Sequence, residues 1–263
     1  MSDWLEVCRA ATADVKGVLR ELPTRTEREP VVGDGVGGDE TTAIDAAAER
    51  VILERLKAID GATIVSEEVG ELKGDGELRI VVDPIDGSLN AKRGIPFFAL
   101  SVAIADGATM DDVLFGYVYD FGSGEEWTAE RGGGACLNGE PLGDIFPRER
   151  IEILSFEATL TSLIAEKAPG VVDLAYRLRI MGSLALSLCH LADGRVDAVC
   201  SLKAARAVDI AAAQLLVRER GIAIELPDDP PFGAAPLDLA GRSRVVAAAT
   251  PAVRDQLYAA LSG

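Results

Sequence analysis

Histidine is almost missing from this chain of 263 residues: there is one, His190. A Ser-His-Asp triad needs a histidine within reach of its nucleophile. His190 sits mid-helix in "LSLCHLADG", where a packed or partly exposed side chain is the expected role. Hydrolysis through such a triad is excluded on inventory, and Ser183 and Ser187 are not candidate nucleophiles. Cysteine is scarce too. Cys8, Cys136, Cys189 and Cys200 form no CxxC pair and no zinc-ligand spacing, so they read as buried thiols in a reducing compartment.

Long apolar runs are also lacking; none approaches the ~20 residues that span a bilayer. The opening "MSDWLEVCRAATADVKG" carries an acid at position 3 and charges throughout, unlike a secretory signal. A soluble, cytoplasmic protein is the expectation. Positive charge is in deficit: 43 acids face 26 bases, of which six are lysine, for a formal charge of −17. Such a field repels nucleic acid and anionic lipid, so neither is expected as a partner. Phosphate ligands are not excluded, because bound cations invert the local sign.

What is present is a chain that is 48% hydrophobic, enough for a sizeable core in one large domain or two medium halves. Trp4, Val7, Ala11, Val15, Leu19 and Leu22 share one face of a first helix. "VVGDGVGGDETT" (31–42) reads as a loop, and Thr41-Thr42 start a second helix with Ile44, Ala48, Val51 and Leu56 as its stripe. Strands are expected at 62–66, 78–83, 97–105, 113–120 and 125–130, mostly as an antiparallel sheet, with a turn-rich connection at 132–142. From about Glu152, strands at "IEILSF", 196–201, 222–226 and 244–249 alternate with helices near 160–167, 183–193 and 208–220. That alternation favours an α/β layered half. One catalytic unit of two sub-halves, 1–150 and 151–263, is expected, with its site between them.

Acids cluster at the ends of these elements. Asp45 lies three residues after Thr42, the spacing of a capping box, and taken alone a cap is its better reading. Glu67 and Glu68 follow a strand and alone read as solvated. Asp209 alone reads as a partner for the dipole of its helix. The segment Asp83-Pro-Ile-Asp86-Gly-Ser88 is different. Pro84 donates no ladder bond and biases Asp83 to an extended conformation, so the strand is expected to stop there. Asp86 can return to the same spot after a tight turn, and Gly87 lets a ligand approach the backbone. The N–H groups of Gly87 and Ser88 could open a helix suited to an anion. Two carboxylates and a backbone carbonyl are a hard-oxygen set that suits Mg²⁺ rather than zinc.

These residues resemble the inositol monophosphatase superfamily of Mg²⁺-dependent sugar phosphatases. Its motif D-P-[IL]-D-G-[ST] is matched by Asp83 to Ser88, its E-E by Glu67-Glu68 and its D-x-A-A by Asp209 to Ala212. "RGIPFFALSVAIA" (93–105), "GGGACLNG" (132–139) and "RIMGSLALSLCHLADGRVDA" (179–198) agree in order along nearly the whole chain. The resemblance is to the archaeal type, several of which act on inositol 1-phosphate and fructose 1,6-bisphosphate. It implies a layered αβαβα sandwich, with an antiparallel-rich N-terminal sheet half and a smaller α/β C-terminal half. It further implies that Glu67, Asp83 and the Ile85 carbonyl hold one metal, and that Asp83, Asp86 and Asp209 hold a second. Asp45 and Ser88 would orient an attacking water, with Glu67 beside them in the catalytic set, and Gly87 and Ser88 would bind phosphate. Gly182, Ser183 and Leu184 would lie against the sugar. The implied reaction is phosphomonoester hydrolysis by in-line attack of a metal-activated water, in a homodimer, with a third, weaker metal in some relatives.

Two departures bear on substrate. The family's loop aspartate falls on Gly37, with Asp39 and Glu40 displaced, which affects the third metal. Where relatives often carry an acid that binds sugar hydroxyls, this chain has Ser201, with Lys203 and Arg206 close by. Added cations suit a second phosphate, so a bisphosphate is expected to be used at least as well as inositol 1-phosphate. The alternatives are a phosphatase of 3′-phosphoadenosine 5′-phosphate or NADP(H), and a catalytically silent binding or regulatory relative. The complete acidic set argues against silence.

Overall fold

The computed structural model describes residues 2–36, 40–145, 150–157, 160–228 and 231–262. The chain opens with α1 (Ser2–Glu21) and a single turn, α2 (Arg25–Arg28). A ribbon of β1 (Val31–Asp34) and β2 (Glu40–Thr42) leads into α3 (Ala43–Leu56). Then come β3 (Thr63–Ser66), β4 (Gly70–Leu72), β5 (Arg79–Asp86) and the short α4 (Ser88–Arg93). A meander follows: β6 (Ala99–Ala105), β7 (Val113–Asp120), β8 (Glu126–Glu130), β9 (Gly134–Leu137) and β10 (Glu140–Pro141). The second half contains β11 (Ile151–Glu157), α5 (Thr161–Lys167), β12 (Ala175–Arg179), α6 (Leu184–Ala192), β13 (Ala198–Ser201) and α7 (Ala207–Glu219). It closes with β14 (Ala223–Glu225), β15 (Val246–Ala248) and α8 (Pro251–Ser262).

The larger sheet runs β10-β9-β8-β7-β6-β5-β3-β4, antiparallel except where β3 pairs parallel with β5. The smaller runs β12-β11-β13-β15-β14. Period-two alternation assigns the faces. In β5, Ile80 and Val82 pack under α1 and α3, while Val81 points the other way, toward α6 and α7. In β13, Val199 joins that same middle core, while Ala198 and Cys200 face α8. Helices α6 and α7 are thus clamped between two sheets, giving the five αβαβα layers. Among the described residues no helix is long and apolar enough to cross a membrane.

Alanine abundance has a structural use here. Ala99, Ala103 and Ala105 of β6 and Ala207, Ala211, Ala212 and Ala213 of α7 are buried in the middle core. Small side chains let the helix lie close to the sheet: a Cβ on Gly116 would sit 2.5 Å from the Ala212 carbonyl oxygen.

Three expectations need correction. The segment 31–42 is not all loop, because Val31–Asp34 and Glu40–Thr42 pair antiparallel. The connection at 132–142 includes the pairing of Glu140 with Leu137 and Pro141 with Cys136. Strand β5 does not stop at Asp83. Its pairing with β6 lapses across Pro84, which has no N–H to give, and resumes where Asp86 meets Ala99. Elsewhere β4, β12 and α8 add to what the sequence indicated. His190 packs as expected, edge-on to Phe97 at 5.5 Å between ring centroids. The four cysteines are free, and Cys8, Cys189 and Cys200 are buried.

Candidate active site

Strand register brings the first two acids together. Ser66 pairs with Val82 in the parallel β3–β5 ladder, and one residue further on stand Glu67, just past the end of β3, and Asp83, where the pairing of β5 with β6 lapses. Asp209 joins them from the first turn of α7. Each of these three offers an oxygen within 4.8 Å of the others. Asp83 is 2% exposed, and its Oδ1 accepts the Ile85 N–H at 2.9 Å.

Two helix starts frame this pair of strand ends, and both carry an acid at the third position. Asp45 caps α3: its Oδ2 accepts from the Thr42 N–H at 3.1 Å and the Thr42 hydroxyl at 2.5 Å. Its other oxygen, Oδ1, is buried with no partner among the described residues. Asp209 Oδ2 likewise accepts the Arg206 N–H at 2.8 Å. Capping and a site role are therefore not rivals, since each carboxylate has two oxygens and the cap takes one.

Asp86 stands apart from the 4.8 Å group. Its Oδ2 accepts the Ser183 hydroxyl at 2.5 Å and the Ala185 N–H at 2.7 Å, tying it to the start of α6. Gly87, at φ +94°, enters α4 in the left-handed region. A Cβ there would lie 3.0 Å from the Gly182 carbonyl oxygen and 3.1 Å from that of Phe97. The candidate phosphate turn thus lies against the candidate sugar segment. Ser88 donates its hydroxyl to the Ile85 carbonyl at 2.9 Å, joining a candidate water-orienting group to a candidate ligand.

Burial and like charge raise the pKa of Glu67, Asp83 and Asp86. Burial first, then Asp209 and Glu68, push Glu67 up to about 8 against the pull of Arg206. Burial, then Glu67, Asp86 and Asp209, hold Asp83 well above the carboxylate range. Asp86 rises to about 7 through burial and Asp209, opposed by its bonds from Ser183 and Ala185. Such a set is costly by itself, and a divalent cation would relieve it. The hard oxygens of Glu67, Asp83 and Asp209, within 4.8 Å of one another, fit that cation.

Arg206, expected on the substrate side, turns its guanidinium into the acids. It donates to Glu67 Oε1 and lies 3.7 Å from Asp209 Oδ1. Burial works against its charge, but Asp209, Glu67 and Asp83 prevail and raise its pKa. Lys203 is exposed. Ser201 is buried, and its hydroxyl accepts the Val245 N–H at 2.8 Å. Gly37 and Asp39 lie outside the described residues; Glu40 is exposed in β2.

Two supporting acids escaped the sequence reading. Glu49 of α3 accepts the Ser66 hydroxyl at 2.6 Å and the Val69 N–H at 3.0 Å, bracketing the Glu67-Glu68 turn. Glu157, at the end of β11, accepts from the 181–182 backbone. Glu49 resembles any helix acid in sequence. Glu157 shared the signal that singled out Asp83, an acid closing an apolar strand.

Comparison with known proteins gives a consistent result. The family model described as "Inositol monophosphatase family" matches residues 3–262. A fructose-1,6-bisphosphatase/inositol-1-monophosphatase of Thermococcus kodakarensis is 35% identical over 220 residues, covering 83% of this chain and 82% of its own. One of the same description from Archaeoglobus fulgidus is 33% identical over 249 residues, covering 94% and 93%. A solved structure described as an inositol monophosphatase–fructose 1,6-bisphosphatase superposes with a TM-score of 0.85 at 28% identity, covering 98% of this chain and 99% of that one.

Proposed function

Because the chain belongs to the inositol monophosphatase family, we propose that it is a Mg²⁺-dependent phosphomonoesterase acting on inositol 1-phosphate, fructose 1,6-bisphosphate or both. The observation that carries this reading is the convergence of Glu67 after β3, Asp83 within β5 and Asp209 in the first turn of α7. Glu67, Asp83 and the Ile85 carbonyl would hold one Mg²⁺, and Asp83, Asp86 and Asp209 a second. Cations held there supply a lowered water pKa and stabilise the leaving alkoxide.

The chain's own residues do the rest by positioning, which dominates phosphoryl transfer. Asp45, with Oδ2 fixed by its cap, presents Oδ1 to accept a proton from the attacking water. Ser88, whose hydroxyl proton goes to the Ile85 carbonyl, would help orient that water through its oxygen. The backbone N–H groups of Gly87 and Ser88 face the phosphate oxygens, and Gly182, Ser183 and Leu184 border the sugar. Lys203, exposed two residues beyond Ser201, would offer a cation to a second phosphate. Residues 1–150 and 151–263 act as one catalytic unit, since Asp209 reaches the strand ends of the first half from the second. The homodimer implied by the family resemblance belongs to this reading, and sedimentation equilibrium tests it.

A substrate panel with and without Mg²⁺ tests the function. Inositol 1-phosphate, fructose 1,6-bisphosphate, 3′-phosphoadenosine 5′-phosphate and NADP are compared by kcat/KM. The bisphosphate is expected to match or exceed inositol 1-phosphate. Preference for a nucleotide would assign the chain to another branch of the family.

A further inference from the structure

We propose that Glu157 is a positioning residue that ties the second sheet to the reaction centre through the segment Met181–Ser183. This deepens the phosphatase reading and rests on it, because Asp86 and the 182–184 segment are its targets.

Glu157 closes β11 on the face turned toward α6, two residues from Ser155 on the same face. It is 6% exposed and accepts four hydrogen bonds from neutral donors. Oε1 receives the Ser155 hydroxyl at 2.9 Å, the Ser187 hydroxyl at 2.8 Å and the Met181 N–H at 3.2 Å; Oε2 receives the Gly182 N–H at 2.8 Å. The first half holds the same segment from the opposite side. Asn90 Nδ2 donates to the Met181 carbonyl at 2.7 Å and to the Phe97 carbonyl at 2.8 Å. Gly182, at φ +86°, is pinned between the two, with room for a Cβ only 3.1 Å from Asn90 Nδ2.

The next residue transmits this placement. Ser183 caps α6, accepting the Leu186 N–H at 3.2 Å, while its hydroxyl proton goes to Asp86 Oδ2. Ala185 N–H grips the same oxygen. Asp86 is thereby aimed by α6, and α6 is seated by Glu157 through both Ser187 and the 181–182 backbone. A buried carboxylate without a cationic partner among the described residues is an expensive way to stabilise a core. It is well suited to fixing a turn of backbone N–H groups, since an anion accepts from several donors at once.

Glu157→Gln keeps the shape but sets an amide NH₂ against an N–H donor. A charge-assisted bond lost in this way corresponds to about a tenfold effect. The test measures Mn²⁺ affinity by electron paramagnetic resonance without substrate, kcat and KM at saturating Mg²⁺, and the thermal midpoint. The expected result is weaker Mn²⁺ binding and a raised KM, about tenfold each, with kcat within about threefold of wild type. A lowered midpoint with unchanged Mn²⁺ affinity and KM would mean a merely structural role and overturn the proposal. Should Glu157→Gln not fold, Ser187→Ala removes one donor and leaves the carboxylate; a smaller shift in the same two quantities is expected, and no shift refutes. If wild type itself neither binds Mn²⁺ nor turns over, the phosphatase reading fails, a result distinct from a silent variant of an active enzyme.

Discussion

Raising the pH of the metal-free protein should destabilise it. Glu67 is pushed up to about 8 from an ordinary 4.5, and Asp86 to about 7 from 3.8, so the folded state keeps protons that the unfolded chain has released. More protons bound in the folded state means that stability falls as pH rises, from the unfolded value up to the folded one. Between about pH 5.5 and 8, Glu67 alone accounts for about 3 kcal/mol, taking roughly 1.36 kcal/mol per unit. Asp86 adds about 2 kcal/mol between about pH 5.5 and 7, less whatever the two share through Asp209. For a chain of this size that is a fall of about 10 °C in the unfolding midpoint. His190, whose pKa burial and Arg195 lower, acts in the opposite sense. The assay is therefore a comparison of thermal melts in a chelating buffer for wild type and Glu67→Gln. Wild type should lose midpoint with pH, and the variant should lose distinctly less. With saturating Mg²⁺ the slope should flatten, because the cation takes the place of the protons. A metal-free midpoint that is flat or rises from pH 5.5 to 8, or a variant with the wild-type slope, would refute the reasoning.

Other substitutions test single contacts. Asp45→Asn retains an oxygen for the cap, so its thermal midpoint should stay within about 3 °C while kcat falls at least about 100-fold; an equal loss of both would return Asp45 to a purely structural role. Arg206→Met removes a cation 3.7 Å from Asp209 and should tighten Mn²⁺ binding by about tenfold or more, as like charge at that range predicts; calorimetry showing weaker binding would contradict it. Gly87→Ala forces a Cβ into 3.0–3.2 Å contacts at φ +94° and should cost about 1–3 kcal/mol, read as a lower melting midpoint with lower activity.

The acids of the site were legible because they break a pattern: Asp83 interrupts an apolar strand that runs on to Asp86, and Glu67 follows another. Their meeting was not legible from spacing, because it depends on β3 and β5 being parallel neighbours, a pairing of distant segments. The layered halves could be read from period-two and helical stripes, whereas the ribbon at 31–42 could not, since its β1 residues are all exposed and carry no alternation. Helix α8 was within reach, with Val253, Leu257 and Leu261 at four-residue spacing behind Pro251. Glu49 and Glu157 show the limit most clearly. Each supports the site through backbone N–H groups brought to it by the fold; no local pattern marks Glu49, and the strand-end position of Glu157 does not reveal its partners.

On the proposed reading Glu67, Asp83 and Asp209 hold cations for phosphate ester hydrolysis. That reading is tested most directly by phosphate release from fructose 1,6-bisphosphate and inositol 1-phosphate, with Mg²⁺ and with chelator, for wild type and Asp209→Asn. Turnover should require Mg²⁺ and should fall by at least about 100-fold in the variant, as expected for loss of a ligand that stabilises the transition state. Turnover by wild type in chelator, or undiminished turnover by Asp209→Asn, would contradict the account.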